Sequence, residues 1–596
     1  MRILCNARDC RMELSAFPAA LAALFICAAA YTARAADGTW KGTQDNVWVT
    51  SANWSASPYP GLGETATFDS GGNGHTDLDL ANIFSVANII FTGPSVAAYT
   101  IGTGPRDSQN LVMGTEGEYR IEASAASGQT FNCSLQLGGG SISGTYTFRN
   151  DAPGQALTLG SIFVPTNSTS GTKTVSLRGA GAITVLGDIL RGPSGLNLEV
   201  STTNVLTLAG SNAVTAVYLN GTNGVVQLNA GSTVVLSNGG GANLTASQDT
   251  TIEGPGEIVL STNTGDNHGD NAVASGHTLT INAKLTGDTG FQYYHASSDY
   301  AGTVVLNGMN DYARSTGFYA AGTLSCGYFG MSGSAGNIGT NARVVLDHAG
   351  SRLLYTGTGE TTDRTLDIKR GGTLEHAGSG TLVFTAPTTS TTTGAKKLTL
   401  RNYAAADGEL QGAVVNGDGT VSLAKDGDGT WSLTASNTFS GALAVNGGNL
   451  ILSGADGSAA WASACTISNG ATLRLDSTAA ANNADRLNDT GAVTLLGGTL
   501  DFSHDAGAAD FSESAGALTA ASGACTVQTD RRPTARPPRS PSRRSAASTA
   551  PRSPSPEPAW ARTAATAFSS PASRKARSGV GSRSTASPPI TVSATA

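Results

Sequence analysis

Apolar residues recur at every second position in short runs through most of the chain, and the runs are separated by Gly, Asn, Asp and Ser. Between Gly427 and Gly454, the runs Thr430-Trp431-Ser432-Leu433, Leu443-Ala444-Val445 and Leu450-Ile451-Leu452 each place their apolar members on one face of an extended segment. Cys465-Thr466-Ile467, Leu473-Arg474-Leu475, Val493-Thr494-Leu495 and Leu500-Asp501-Phe502 follow at intervals of one strand plus one turn. Upstream the pattern is looser, in Ala156-Leu157-Thr158-Leu159, Val205-Leu206-Thr207-Leu208, Val225-Val226-Gln227-Leu228 and Glu257-Ile258-Val259-Leu260. Helical periodicity is nearly absent beyond the first 35 residues. A strand this short cannot bury its apolar face alone, whereas successive turns of a coil stacked on one another bury all of them. The pattern therefore predicts an all-β solenoid, with residues 427–454 as one rung. Asn and Asp tolerate left-handed backbone angles at the corners, which accounts for the recurring NG, GG and DG pairs.

The order of Gly427, Gly429, Thr430, Trp431, Leu433, Asn437, Thr438, Phe439, Ser440, Gly441, Val445, Asn446, Gly447, Gly448 and Leu450 resembles the autotransporter-associated β-strand repeat of bacterial surface and secreted proteins. A looser copy begins at Thr303, and Leu366-Asp367-Ile368 followed by Gly371-Gly372-Thr373-Leu374 echoes the region around Leu500, so the resemblance covers about 300 to 525. It implies a right-handed parallel β-helix in an exported, non-enzymatic surface protein.

Composition is consistent with a thin core rich in turns. The 596 residues include 76 Gly, with 6% aromatic and 13% charged side chains. A solenoid needs only small aliphatic and β-branched stacks, not the large side chains of a globule. At the N-terminus Arg2, Arg8 and Arg11 precede an apolar run from about Ala16 to Tyr31, which ends in Ala33-Arg34-Ala35. This is a signal-peptide pattern over 1–35, with Met12 as an alternative start. The run is shorter than the roughly 20 residues a membrane-spanning helix requires. Export to the cell surface or medium is expected, with no transmembrane segment in the mature chain.

The expected organisation continues with an N-terminal cap and first rungs (36–100), divergent rungs (101–300), a repeat-bearing region (301–530, best copy 427–454) and a tail (531–596). Trp40, Trp48, Trp54 and Phe68, with Pro58 and Pro60, supply an aromatic lid for the exposed end of the coil. The competing reading of those Trp residues is a sugar-stacking patch. Cys133, Cys326, Cys465 and Cys525 are at least 60 residues apart and lack metal spacing, so a buried hydrophobe is the expectation at Cys465 and no disulfide framework is predicted.

The sequence offers little chemistry. Gly265-Asp266-Asn267-His268-Gly269-Asp270-Asn271 is the best candidate for a calcium loop, but it lacks the twelve-residue pattern ending in Glu. Asp426-Gly427-Asp428-Gly429 and Asp77-Leu78-Asp79 are weaker; the second pair shares a strand face but has no supporting acid and base constellation. The seven His residues (His75, His268, His277, His295, His348, His376 and His504) show no paired spacing and read as isolated and solvent-facing. No catalytic, cofactor-binding or metal residue is assigned, and no cofactor is expected.

After Asp530 the character of the chain changes. The 66 residues of the tail hold 12 of the 36 Lys and Arg, 11 of the 21 Pro and one acid, Glu557. Residues 1–530 carry 24 basic against 42 acidic side chains, a net of −18, beside a tail of +11. A disordered basic arm is one reading. The favoured one is a shifted reading frame, because the same two-base shift restores Gly- and Asn-punctuated β-like sequence at Pro533 to Ser542, at Thr563 to Ser570 and from near Gly579. On either reading the tail is expected to have no native fold. The expectation for the whole is a monomeric, non-catalytic structural or adhesive passenger whose partners are glycans or cell-surface components rather than nucleic acid. The alternative is a polysaccharide-acting β-helix lyase or hydrolase, which would need two carboxylates facing one another in a cleft.

Overall fold

In the computed structural model, residues 36–81, 84–238, 243–262, 271–404, 406–505 and 510–531 are described, together with the backbone of the strand Ile590–Ala594. The signal-peptide reading of 1–35 and most of the 531–596 tail lie outside these residues. Most strands are short with burial that alternates along them, and neighbouring rungs pair in parallel. Two 3-10 turns, Ser51–Asn53 and Gly72–Gly74, are the only helical segments among the described residues. The fold is a parallel β-solenoid of about 19 turns in all, and the chain divides into two compact units, 1–196 and 197–596.

In the first unit each turn contributes a strand to three ladders. One runs Thr65–Phe68, Asn88–Phe91, Glu118–Ile121, Gly144–Asn150 and Lys173–Gly179. The second runs Thr100–Ile101, Gln129–Phe131, Ala156–Leu159 and Ala182–Val185. The third runs Phe84–Val86, Asn110–Met113, Ser134–Leu137, Ile162–Phe163 and Ile189–Leu190. Inward positions stack like on like. Phe68, Phe91, Tyr119, Phe131 and Phe148 form an aromatic column with ring centroids 5.0–6.1 Å apart. Trp40, Trp48 and Trp54 close its end. All three rings are buried, and each indole N–H is committed, to the carbonyls of His75, Pro60 and Trp48 respectively. Rings held in this way have no face to offer a sugar, so the lid reading stands and the sugar-stacking one falls.

In the second unit a ladder that includes Val205–Leu208, Gly224–Leu228, Thr278–Ile281 and Thr303–Leu306 continues through Gly322–Cys326, Arg343–Tyr355, Thr365–His376, Ala395–Asn402, Thr420–Asp426, Leu443–Val445, Ala464–Ser468 and Ala492–Leu496. A facing ladder holds Gly380–Phe384, Ala406–Leu410, Thr430–Leu433, Asn449–Leu452, Thr472–Ser477 and Thr499–His504. Trp431 stands under Leu450, which stands under Leu473 and then Leu500. Gly408, on the rung beneath, has to lack a side chain: a Cβ there would come within 2.4 Å of the Trp431 ring.

Residues 427–454 prove to be more than one rung. Thr430–Leu433 and Asn449–Leu452 are neighbours in the same sheet, so the segment is one full turn plus the first strand of the next. The turn is short here because Gly448, at φ +58, reverses the chain directly above Gly429. Within the tail, Ile590–Ala594 pairs antiparallel with Phe511–Ala515, a local order that the expectation of no fold over 531–596 did not include.

Candidate functional surface

None of the chemistry singled out in the sequence assembles into a reactive centre. Residues 265–270 of the proposed calcium loop lie outside the described set, and the remaining member, Asn271, is buried and accepts the Leu244 N–H. Asp79 does not pair with Asp77, since the strand ends at Leu78 and the Asp79 carboxylate accepts the Ala81 N–H and the Gln109 side-chain amide. Asp426 binds Arg401 and Asn446. Among the described residues no group of three His, Cys, Asp or Glu converges as a metal site would require. Cys133, Cys326, Cys465 and Cys525 are free, and Cys465 is buried beside Ile467. The histidines depart from expectation: His376 is fully buried in the core-side column of its ladder, with its ring nitrogens on Gly380 O and Gly378 N. Burial holds its pKa below the ordinary imidazole value, so it is a neutral core residue. His75, His277, His295, His348 and His504 are half-buried, and His268 is outside the described residues.

Instead, the structure gathers charge on the outer face of three consecutive rungs, Arg343–Tyr355, Thr365–His376 and Ala395–Asn402. Glu375 takes an outward position directly over Leu354 and under Arg401. It is 0% exposed because Arg352, Arg401 and Tyr403 cover it. Arg352 donates to both carboxylate oxygens at 2.8 and 2.5 Å, Arg401 Nη1 at 3.4 Å and the Tyr403 hydroxyl at 3.2 Å. The chain of bonds continues outward through Arg401 to Asp426, from Asn446 to Asp426, and from Ser468 to Asn446, crossing one rung at each step. A buried carboxylate is tolerable only when its lone pairs are met in this way. Asp367, 1% exposed, repeats the arrangement with Arg343 and the Thr391 N–H and hydroxyl.

Next to these rungs an excursion over residues 327–341 is gripped from inside by one cation. Buried Arg364 donates to the carbonyls of Gly330, Met331, Ser334, Gly339 and Asn341. Glu360 accepts the Phe329 and Gly330 N–H groups, and Asp363 accepts the Ser332 N–H and hydroxyl. Those hydrogen bonds hold the Asp363 carboxyl below the usual range. The loop thus presents Tyr328 and Met331 to solvent on a fixed frame. Elsewhere Trp461 is 64% exposed at a corner.

Reading the sequence for motifs missed this surface, although a running count of charge would have located it. Residues 343–402 hold 8 of the 20 Lys and Arg between 36 and 530 but only 5 of the 40 acids, a local net of +3. What no count could give is the layering, with acids beneath and cations above, because that depends on which rung covers which.

Residues 423–454 match the passenger-associated-transport-repeat family. The chain is also similar to the adhesin BmaC autotransporter of Brucella suis biovar 1 (strain 1330), with 36% identity over 126 residues. That match takes in 20% of this chain and 4% of the relative, so the chain spans a small part of the relative's length. No solved structure matches the chain. Repeat, relative and parallel coil together make this β-helix protein similar to the β-helical passengers of autotransporters.

Proposed function

We propose that this chain is an exported, surface-displayed or secreted passenger segment with an adhesive and structural role and no catalytic activity. The observation that carries the reading is the commitment of its outer-face carboxylates to the framework: Glu375 and Asp426 share Arg401, Glu257 and Asp311 share Lys284, and Glu118 and Glu122 share Arg120. Hydrolysis of a glycosidic bond needs two carboxyl groups roughly 5 to 10 Å apart with substrate or water between them. In each of these pairs a cation occupies that space. The likeness to a protein named as an adhesin supports the same reading.

The coil gives an adhesin two assets. Cross-rung hydrogen bonds and side-chain ladders, such as Thr430, Asn449, Thr472, Thr499 and Thr526 at a spacing of about 4.8 Å, make a long, regular polar surface. Excursions such as 327–341 project from it on rigid supports. The test is to immobilise the full chain on beads and score attachment to cells and to polysaccharide-coated surfaces, in parallel with turnover on a panel of polysaccharides. Attachment without turnover is expected. Cleavage or β-elimination of any polysaccharide that is lost on substituting Glu375 or Asp426 would overturn the proposal.

A further inference from the structure

The band formed by Arg343–Tyr355, Thr365–His376 and Ala395–Asn402 differs in charge from everything around it. Residues 343–402 carry a net of +3, whereas the rest of 36–530 carries 12 basic and 35 acidic side chains, a net of −23. Burial sharpens the contrast. Asp367 and Glu375 lie beneath Arg343, Arg352 and Arg401, Asp347 is 14% exposed under Arg370, and Glu360 and Asp363 are turned onto loop amides. Of the eight cations Arg364 and Lys396 are buried, and the other six stand outside. Arg370 is 70% exposed, Lys397 is exposed, and Lys369 lies 5.8 Å from the centre of the Tyr319 ring. Arg370 and Lys397 belong to adjacent rungs in close backbone contact: a Cβ on Gly371 would come within 2.9 Å of the Lys397 carbonyl oxygen. At the other end of the same strands the Tyr403 ring is 47% exposed beside Arg401.

We infer that this band is a binding surface for an acidic polysaccharide, one carrying uronate or sulfate groups. The inference rests on the adhesive reading above and gives it a partner class. Three arguments of physical chemistry support it. An isolated positive band on an acidic coil draws anions to itself while the flanking surface repels them, which sets the register of an extended polyanion. Cations on consecutive rungs repeat at about 4.8 Å, a spacing that a linear chain can meet with successive acidic sugars. Because Glu375 and Asp367 fix the planes of Arg352, Arg401 and Arg343 from below, little side-chain freedom is lost when the outer N–H groups bind an anion. A partly exposed Tyr next to guanidinium groups suits a sugar ring as well as its charge.

The test uses the full chain and reads individual lysines, so that the basic tail does not obscure the answer. Amine acetylation followed by mass spectrometry is run with heparin, with polygalacturonate and with neutral dextran, on wild type and on the R370S/K397S variant, whose substituted side chains are at the surface. Protection of Lys369 and Lys397 by heparin or polygalacturonate but not dextran, with Lys41 unchanged, is expected. The double substitution should weaken polysaccharide binding by about fivefold, as loss of two exposed ionic contacts implies, and the loss should shrink as salt is raised. Protection confined to Lys575 in the tail, equal affinity of the variant, or equal protection by duplex DNA and by anionic lipid vesicles would each overturn the inference. The bead-attachment assay separates the two readings. If wild type and variant attach equally, the band fails and the adhesive proposal stands; if neither attaches while Lys397 is protected, the adhesive proposal fails and the band stands.

Discussion

Glu513 offers a measurable consequence of how the last rungs are built. Its carboxylate accepts the backbone N–H groups of Arg486, at 2.9 and 3.0 Å, and of Leu487, at 2.8 Å. The side chain is 3% exposed and borders an apolar void of about 30 Å³ lined by Leu475, Leu487, Val493, Leu500, Phe502 and Leu518. The charged groups facing it are Arg486, whose guanidinium is committed to Ser477 Oγ and the carbonyls of Gly454, Gly457 and Ala481, and Asp485. Burial dominates and pushes the pKa from 4.5 up to about 7, against the opposing pull of the two amides and Arg486. Between those values the folded protein holds a proton that the unfolded chain has released, so stability falls as pH rises from 4.5 to 7 and is level above that. At about 1.4 kcal/mol per pH unit the interval is worth on the order of 3 kcal/mol. In Glu513→Gln an amide oxygen still accepts the N–H bonds but carries no charge. The variant should therefore match wild type near pH 5 and exceed it by about 2 to 3 kcal/mol at pH 8. Hydrogen exchange of the Arg486 and Leu487 amides, followed from pH 5 to 8 and corrected for intrinsic rates, reads the end of the coil directly. A difference between variant and wild type that stays constant over that range would refute the reasoning.

Three further outcomes follow from buried groups. Replacing Arg364 by Leu leaves five loop carbonyls without their donor and should cost about 3 to 5 kcal/mol; limited proteolysis should then cut within 327–341 while the circular dichroism of the coil is retained. Lys425 occupies an inward column between Leu400 and Val445, its ammonium donating to the carbonyls of Asp426, Gly427 and Gly447, and burial lowers its pKa from 10.5 to about 8. Here the unfolded chain keeps the proton longer, so wild type should gain up to about 3 kcal/mol in denaturant titrations as pH rises from 8 to 10.5, and Lys425→Met should show no such gain. Trp431→Ala removes the largest side chain of the repeat from a fully buried site and should cost about 3 to 5 kcal/mol, whereas Gly408→Ala should also destabilise by forcing the ring aside, both measured by chemical denaturation.

Strand identity, the inward faces and the repeat itself were legible in the sequence because each depends on neighbours one or two residues away. Thr430–Leu433, Leu443–Val445 and Asn449–Leu452 sit where period-two alternation places them, since a pleated strand admits only two faces. A lid at Trp40, Trp48 and Trp54 was the favoured reading for the same kind of reason, that an open coil end needs an apolar cover, but the burial of the rings themselves was decided by the structure. Alternation does not, however, say which rung lies over which. That register depends on corner lengths that vary from turn to turn, and it was decided only when Trp431 settled on Gly408 and Leu450. From register came the rest: His376 drawn into the core against its expected exposure, Glu375 closed between Arg352 and Arg401, and Arg343, Arg352, Arg370, Lys397 and Arg401 left on the outside. The charge was in the sequence, but its direction, inward or outward, is a property of stacking between residues more than twenty positions apart.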